Sequence, residues 1–117
     1  MKLLLIKTIE SQDFSGLVFL QGSIHPEEAY PDRFVTYFTL DGSDAAHFDD
    51  APVGTAWRYQ VINYATDAEV LMQDAANIRA ALREAGFIPA GRGRDIPSDV
   101  STHTGWANEY YFLEMEE

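Results

Sequence analysis

The stretch of sequence that decides the fold runs from residue 56 to residue 85 and reads AWRYQVINYATDAEVLMQDAANIRAALREA. Residues 56–64 alternate as a half-buried antiparallel strand does, with Trp57, Tyr59 and Val61 on one face. After residue 66, apolar residues recur at spacings of four and three, which places them on one face of a helix. We therefore predict a strand followed by an amphipathic helix over 67–85. The residues on the apolar face are Leu71, Ala75, Ile78, Leu82 and Ala85.

Both ends of this helix carry recognisable signals. Thr66 and Glu69 have the spacing of a capping box, in which each side chain bonds the other residue's backbone amide. Gly86 follows the last apolar position, where a glycine commonly adopts the left-handed conformation that ends a helix. We therefore predict Thr66 as the N-cap and Gly86 as the first residue beyond the C-cap.

The segments on either side supply further strands. Residues 34–40 and 107–115 are rich in β-branched and aromatic residues, which favours strands, and residues 17–20 form a short apolar run between glycines. Residues 2–11 space their apolar side chains as a short helix does, although a strand is the alternative for so short a run.

These elements together predict one α+β domain over residues 1–117. Its sheet is mostly antiparallel, and it is packed by the long helix 67–85 and by a short N-terminal helix. Between the elements we expect an extended, irregular loop over 22–32 and a long solvated loop over 41–50. We also expect a flexible segment over 90–94 and a turn-rich loop over 95–105.

Composition narrows the classes of function. The chain has 117 residues, 8 basic against 19 acidic side chains, a net charge of −11 and no cysteine. The lack of cysteine excludes a disulfide scaffold, a thiolate metal site and a cysteine nucleophile. So acidic a chain has no basic surface for binding nucleic acid specifically, and no apolar run reaches the ~20 residues that span a membrane.

A search for catalytic or metal-binding motifs finds none that is specific. His25, His47 and His103 lie far apart in the sequence, and the acidic segment 41–50 does not match a calcium-binding loop. Ser98–Gly105 contains serine, histidine and aspartate, but adjacency in sequence is no indication of a triad. We expect His103 to pin its loop by hydrogen bonds. No cofactor, no metal and no enzymatic activity are predicted.

Arg92 and Arg94 form the only local cluster of basic residues and alternate with Gly91 and Gly93. The segment lacks the lysine and the following helix of a phosphate-binding loop. It is either a solvated loop or a contact with an acidic neighbour, so both arginines are candidates for a subunit or tube contact.

Three strings carry a resemblance to a known family: QGSIHPEEAYPDRFVTYF at 21–38, LREAGFI at 82–88, and GRDIPSDVSTHTG at 93–105, followed by an aromatic strand. In this order they resemble small tail proteins of siphophages and their prophages, the tail-completion or tail-terminator group, with lambda-type terminators as relatives. The matching positions are His25, Pro26, Tyr30, Pro31, Phe34, Gly86, Phe87, Asp95, Pro97, Ser98, Asp99, Thr102, His103, Thr104 and Gly105.

The resemblance implies a structural, non-enzymatic role for this bacteriophage or prophage protein. Such subunits are α+β and form a ring, usually a hexamer, at the head-proximal end of the tail tube. The implied partners are other copies of the chain, the tail-tube protein and a head-completion or connector protein. The implied location is the tail of the virion, which is assembled in the bacterial cytoplasm. The matching residues are implied to shape the loops.

An acidic subunit suits a DNA conduit, because like charge keeps the passing phosphates from binding. We therefore expect Asp41, Asp44, Asp49 and Asp50, or the acidic tip 114–117, to face the lumen of the ring.

Two other functions fit the sequence. A head-closure or connector protein has subunits of similar size, and the position of its gene relative to the tail-tube gene would distinguish it. An acidic phage protein that binds and inhibits a host protein would be a discrete monomer with a basic partner.

Overall fold

The computed structural model describes residues 2–21, 30–48, 51–98 and 101–115. They form a six-stranded sheet with two helices on one of its faces, an α+β domain as predicted. The sheet order is β1-β2-β3-β6-β4; β1 is parallel to β2, the other neighbours are antiparallel, and β5 also pairs with β6. The elements are α1 (Lys2–Glu10), β1 (Val18–Leu20), β2 (Arg33–Phe48), β3 (Ala51–Ala65), α2 (Ala68–Glu84), β4 (Ile88–Pro89), β5 (Arg94–Ile96) and β6 (Thr104–Met115).

Helix α2 lies where its periodicity predicts, and its apolar face is buried. Its N-cap, however, is Asp67 and not Thr66, because the Asp67 carboxylate accepts the backbone amides of Glu69 and Val70 at 2.8 and 3.1 Å. At the other end Gly86 has a φ of 103°, and the amide of Phe87 donates to Leu82 O at 2.9 Å. This Schellman arrangement confirms the predicted helix stop.

The sheet has an apolar cluster on each face. On the face covered by the helices (the helix face), Tyr59 and Val61 pack with residues of α1 and α2. On the opposite face (the open face), Phe34 stacks on Tyr64 with 4.9 Å between ring centroids. Strand β3 was predicted to be half-buried, yet every residue over 59–65 is buried. It is the central strand of a sheet whose two faces are both covered there, so alternation underestimates its burial.

Strands β2 and β3 continue past the core, with β6 paired to β3 as far as Gly54↔Met115. This extension (the ribbon) corrects the predicted loop over 41–50. Their pairing runs through Asp41↔Arg58 to Phe48↔Ala51, with irregular steps in the register. Residues 49 and 50 lie outside the described part. The molecule measures 53 × 28 × 24 Å, and its radius of gyration of 15.3 Å exceeds the roughly 13.4 Å expected of a compact domain of this length. The ribbon therefore projects from the domain.

The loop predicted over 95–105 also contains a strand. Residues of β5 pair with β6 in the register Arg94↔Ala107, Asp95↔Trp106 and Ile96↔Gly105. A three-residue strand in polar, glycine-flanked sequence has too short a pattern to be seen without its partner.

A charged pair joins α2 to the sheet. Arg33 of β2 donates two hydrogen bonds to the Asp74 carboxylate at 3.0 and 2.9 Å, and a third to Asp13 O at 2.8 Å. Its guanidinium also lies 4.0 Å from the centre of the Phe14 ring. The hydrogen bonds that Arg33 donates to Asp74 raise the pKa of Arg33 above its ordinary value, against the opposing effect of burial. One arginine thereby ties the turn after α1, the sheet and α2 together.

Candidate functional site

The motif residues around His103 come together at one end of the open face. His103 is 8% exposed, and its Nε2 lies 2.7 Å from Pro31 O. Since a carbonyl oxygen only accepts, Nε2 carries a proton and donates to Pro31 O, while Nδ1 lies within hydrogen-bond distance of the Thr102 hydroxyl, at 3.0 Å. The rings of Tyr30 and Phe34 lie edge-on to the imidazole, at 6.0 and 5.8 Å. His103 thus holds the segment before β2 against the segment before β6, 72 residues away in the sequence.

Other motif residues line a shallow depression beside this cluster. A cavity of about 460 Å³ is bordered by Asp95, Pro97, Ser98 and Thr104, together with His103 itself. His25, Pro26 and Asp99 of the same motif lie outside the described residues.

Gly105 lies beside this cluster, and its φ is not positive, so its backbone conformation does not require glycine. A Cβ there would lie 2.9 Å from Ile96 O and 3.0 Å from the Tyr64 ring. Gly105 therefore permits β5 and Tyr64 to approach β6 closely.

Both ring nitrogens of His103 are engaged within the fold, Nε2 with Pro31 O and Nδ1 with the Thr102 hydroxyl. Among the residues that the structure describes, no three histidine or acidic side chains gather as metal ligands would. Neither described helix is both long and apolar enough to cross a membrane.

The arginines of the basic cluster lie on different faces. Arg94 pairs with Ala107, whose side chain belongs to the open-face core, and residues paired in this way share a face. Arg92 instead lines a cleft of about 240 Å³ on the helix side, together with Arg79 of α2. Sequence reasoning missed Arg79 as a partner of Arg92, because nothing local relates two residues 13 positions apart on different elements.

Three hydrogen bonds hold the segment over 90–94, which we expected to be flexible. The amide of Ala90 donates to Glu109 O at 2.9 Å, Arg79 donates to Gly91 O at 3.0 Å, and the Asn108 amide donates to Arg92 O at 3.1 Å. These hydrogen bonds fix the wall of the cleft.

An exposed apolar strip runs along the open face at the other end of β6. Tyr111, Leu113 and Met115 alternate on one face of the strand and are 39, 52 and 55% exposed. Ile88 is paired with Tyr111 and is 60% exposed. Exposed apolar side chains that adjoin one another in this way mark an interaction surface more often than scattered ones do.

Of the four acids expected to face a lumen, the structure places two on the ribbon. Asp41 is exposed and pairs with Arg58, and the backbone of Asp44 pairs with Thr55. Asp49 and Asp50 lie outside the described residues. The two described positions are thus on the projecting ribbon and at some distance from the His103 cluster.

The chain matches no protein-family model, and no curated protein is significantly similar to it.

Proposed function

We propose that the chain is a non-enzymatic structural subunit of a bacteriophage tail, a terminator or completion protein. In this proposal several copies, six if the resemblance holds, form a ring at the head-proximal end of the tail tube. The ring stops growth of the tube and presents a surface to the head-completion or connector protein. It belongs to the virion and is assembled in the cytoplasm of the bacterial host.

The observation that carries the proposal is the projecting ribbon with its apolar strip. Strands β2 and β3 have 16 and 15 residues and extend beyond the core, which the folding of a single 117-residue domain does not require. Among the described residues, β1 covers only Val35–Tyr37 of the outer edge of β2, and β4 ends its pairing with β6 at Tyr111. Long strands with open edges and exposed apolar residues are typical of a subunit that is completed by its neighbours.

The net negative charge supports a position in which the protein lies beside DNA without binding to it. The net charge of −11 repels a phosphate backbone, and Asp41 and Asp44 lie on the part of the molecule that projects farthest. We place these two acids, with Asp49 and Asp50, at the lumen of the ring. Reversing the charge of Asp41 and Asp44 is then expected to slow DNA release without preventing assembly; ejection at the normal rate would contradict this placement.

Electron microscopy of lysates from the phage or prophage without this gene tests the proposal. Filled heads beside free tails, especially tails of abnormal length, are the expected result, with wild-type gene supplied in trans as the control. Normal infectious particles would refute a structural role and favour the acidic host-binding protein. Leaking heads beside tails of normal length that complete in vitro would identify a head-closure protein instead.

A further inference from the structure

The cleft between α2 and β6 is lined by both basic and apolar side chains. Arg79 and Arg92 supply the charge, Met72 and Ala76 supply apolar surface, and no carboxylate among the described residues lines the cleft. Neither arginine has an ion-pair partner among the described residues, whereas Arg33 and Arg58 are each paired. In a chain of net charge −11, an unpaired arginine couple beside apolar surface favours an acidic, partly apolar occupant.

The loop that forms one wall of the cleft is held in a fixed position. Gly93 has a φ of 106°, and a Cβ on it would overlap the indole nitrogen of Trp106, so the loop lies directly on that ring. The bonds from Arg79 to Gly91 O and from Asn108 to Arg92 O hold the loop in place. At about 240 Å³ the cleft is smaller than a typical small-molecule pocket of roughly 300–1,000 Å³, and it suits one or two side chains.

A segment with matching chemistry lies at the far end of β6. Leu113 and Met115 are 52 and 55% exposed, and Glu114 stands between them. Beyond Tyr111 no described strand pairs with this edge of β6, so the segment is accessible from the side. Apolar and acidic side chains are combined here, which complements the apolar and basic lining of the cleft.

The segment of one molecule does not reach the cleft of the same molecule. Asn108 borders the cleft, and Glu114 lies six residues farther along the same strand, or about 20 Å at the rise of a β-strand. If this segment occupies the cleft, it therefore comes from another copy. Because the two surfaces differ and lie at opposite ends of β6, their contact is head-to-tail, and such a contact closes into a ring when the rotation permits.

We infer that Leu113–Met115 of one subunit docks in the α2–β6 cleft of the next, with Glu114 meeting Arg92 and Arg79 and with the apolar side chains on Met72 and Ala76. The inference deepens the proposed function, since it supplies the contact that a ring requires. The proposed contact can, however, be tested with the purified protein alone, without a phage.

Disulfide trapping tests the contact, and the lack of native cysteine makes it specific. The double variant A76C/M115C, oxidised in solution, is expected to form a ladder of covalent multimers. The matched control N77C/M115C moves the thiol one residue along α2 to an exposed position that does not border the cleft. Linkage at least about tenfold faster than in the control is expected, because a disulfide needs Cα atoms within roughly 7 Å. Equal rates, at protein concentrations up to the solubility limit, would overturn the inference.

Charge reversal gives a second, independent measurement in the A76C/M115C background. Arg92→Glu and Glu114→Arg are each expected to slow linkage about tenfold, since each places like charges together. Their combination is expected to restore linkage, while Arg83→Glu, on α2 but outside the cleft, leaves it unchanged. Failure of the combination to restore linkage would overturn the pairing. If trapping succeeds but deletion of the gene leaves normal particles, the contact stands and the tail function fails.

Discussion

Replacing Asp74 by alanine is expected to destabilise the protein by about 2–3 kcal/mol, because the Arg33 guanidinium loses two charge-assisted hydrogen bonds. Removing one partner of a fully buried ion pair costs about 3–5 kcal/mol. The cost here is smaller, since the Arg33 side chain is 30% exposed and keeps its bond to Asp13 O. The higher helix propensity of alanine returns about 0.5 kcal/mol.

Thermal unfolding followed by circular dichroism measures this change. With an unfolding entropy of about 2.1 cal/mol/K per residue, 1 kcal/mol shifts the midpoint of a chain of 117 residues by about 4 °C, so a decrease of about 8–12 °C is expected. Glu84→Ala, which removes an exposed acid from the same helix, is the control and should shift the midpoint by less than about 2 °C. A shift as small for Asp74→Ala would refute the role of this pair in holding α2 on the sheet.

Three further predictions concern local features. Asp67→Ala removes the N-cap of α2 and should cost about 1 kcal/mol in urea unfolding; an unchanged midpoint would contradict the assignment of the cap. Gly93→Ala should cost about 2 kcal/mol more than Gly91→Ala, since both have positive φ but only a Cβ at Gly93 meets Trp106; equal costs would refute the close contact. Burial raises the pKa of Tyr110 to about 12, so the folded state binds this proton more tightly than the unfolded state does. The resulting stability is complete at about pH 8 and falls by about 1.3 kcal/mol between pH 9 and pH 11, as the unfolded state loses its proton with a pKa of about 10; in Tyr110→Phe this part of the pH dependence should vanish, and an unaltered slope would contradict the effect.

The parts of the fold that could be predicted from sequence are those with a regular, local pattern. Helix α2 follows from apolar residues at spacings of three and four and from Gly86 after them. The cores of β2, β3 and β6 follow from β-branched and aromatic runs. These patterns arise because the side chains of each element face the core, and each pattern can be recognised within one short stretch of sequence.

The parts that could not be predicted depend on partners distant in sequence. The outer half of β2 is rich in glycine, serine and aspartate, which favours a loop, and it becomes a strand because β3 pairs with it. Arg33 and Asp74 are 41 residues apart, and their pairing exists only after α2 has packed on the sheet.

The same holds for the candidate interaction surfaces. Arg92 and Arg94 were both candidates for a subunit or tube contact, but the backbone turns between them at Gly93, whose φ is 106°. Arg92 therefore lines the cleft, whereas Arg94 begins β5 on the open face. The second arginine that lines the cleft with Arg92 is Arg79, which belongs to another element.

Cryo-electron microscopy of purified virions tests the central claim most directly, since it locates the chain in the particle. The account predicts a ring of copies between the tail tube and the head. In it the α2–β6 cleft of each subunit holds Leu113–Met115 of the next, and the ribbon lies toward the DNA channel. Particles that are complete and infectious but lack the chain would contradict the claim.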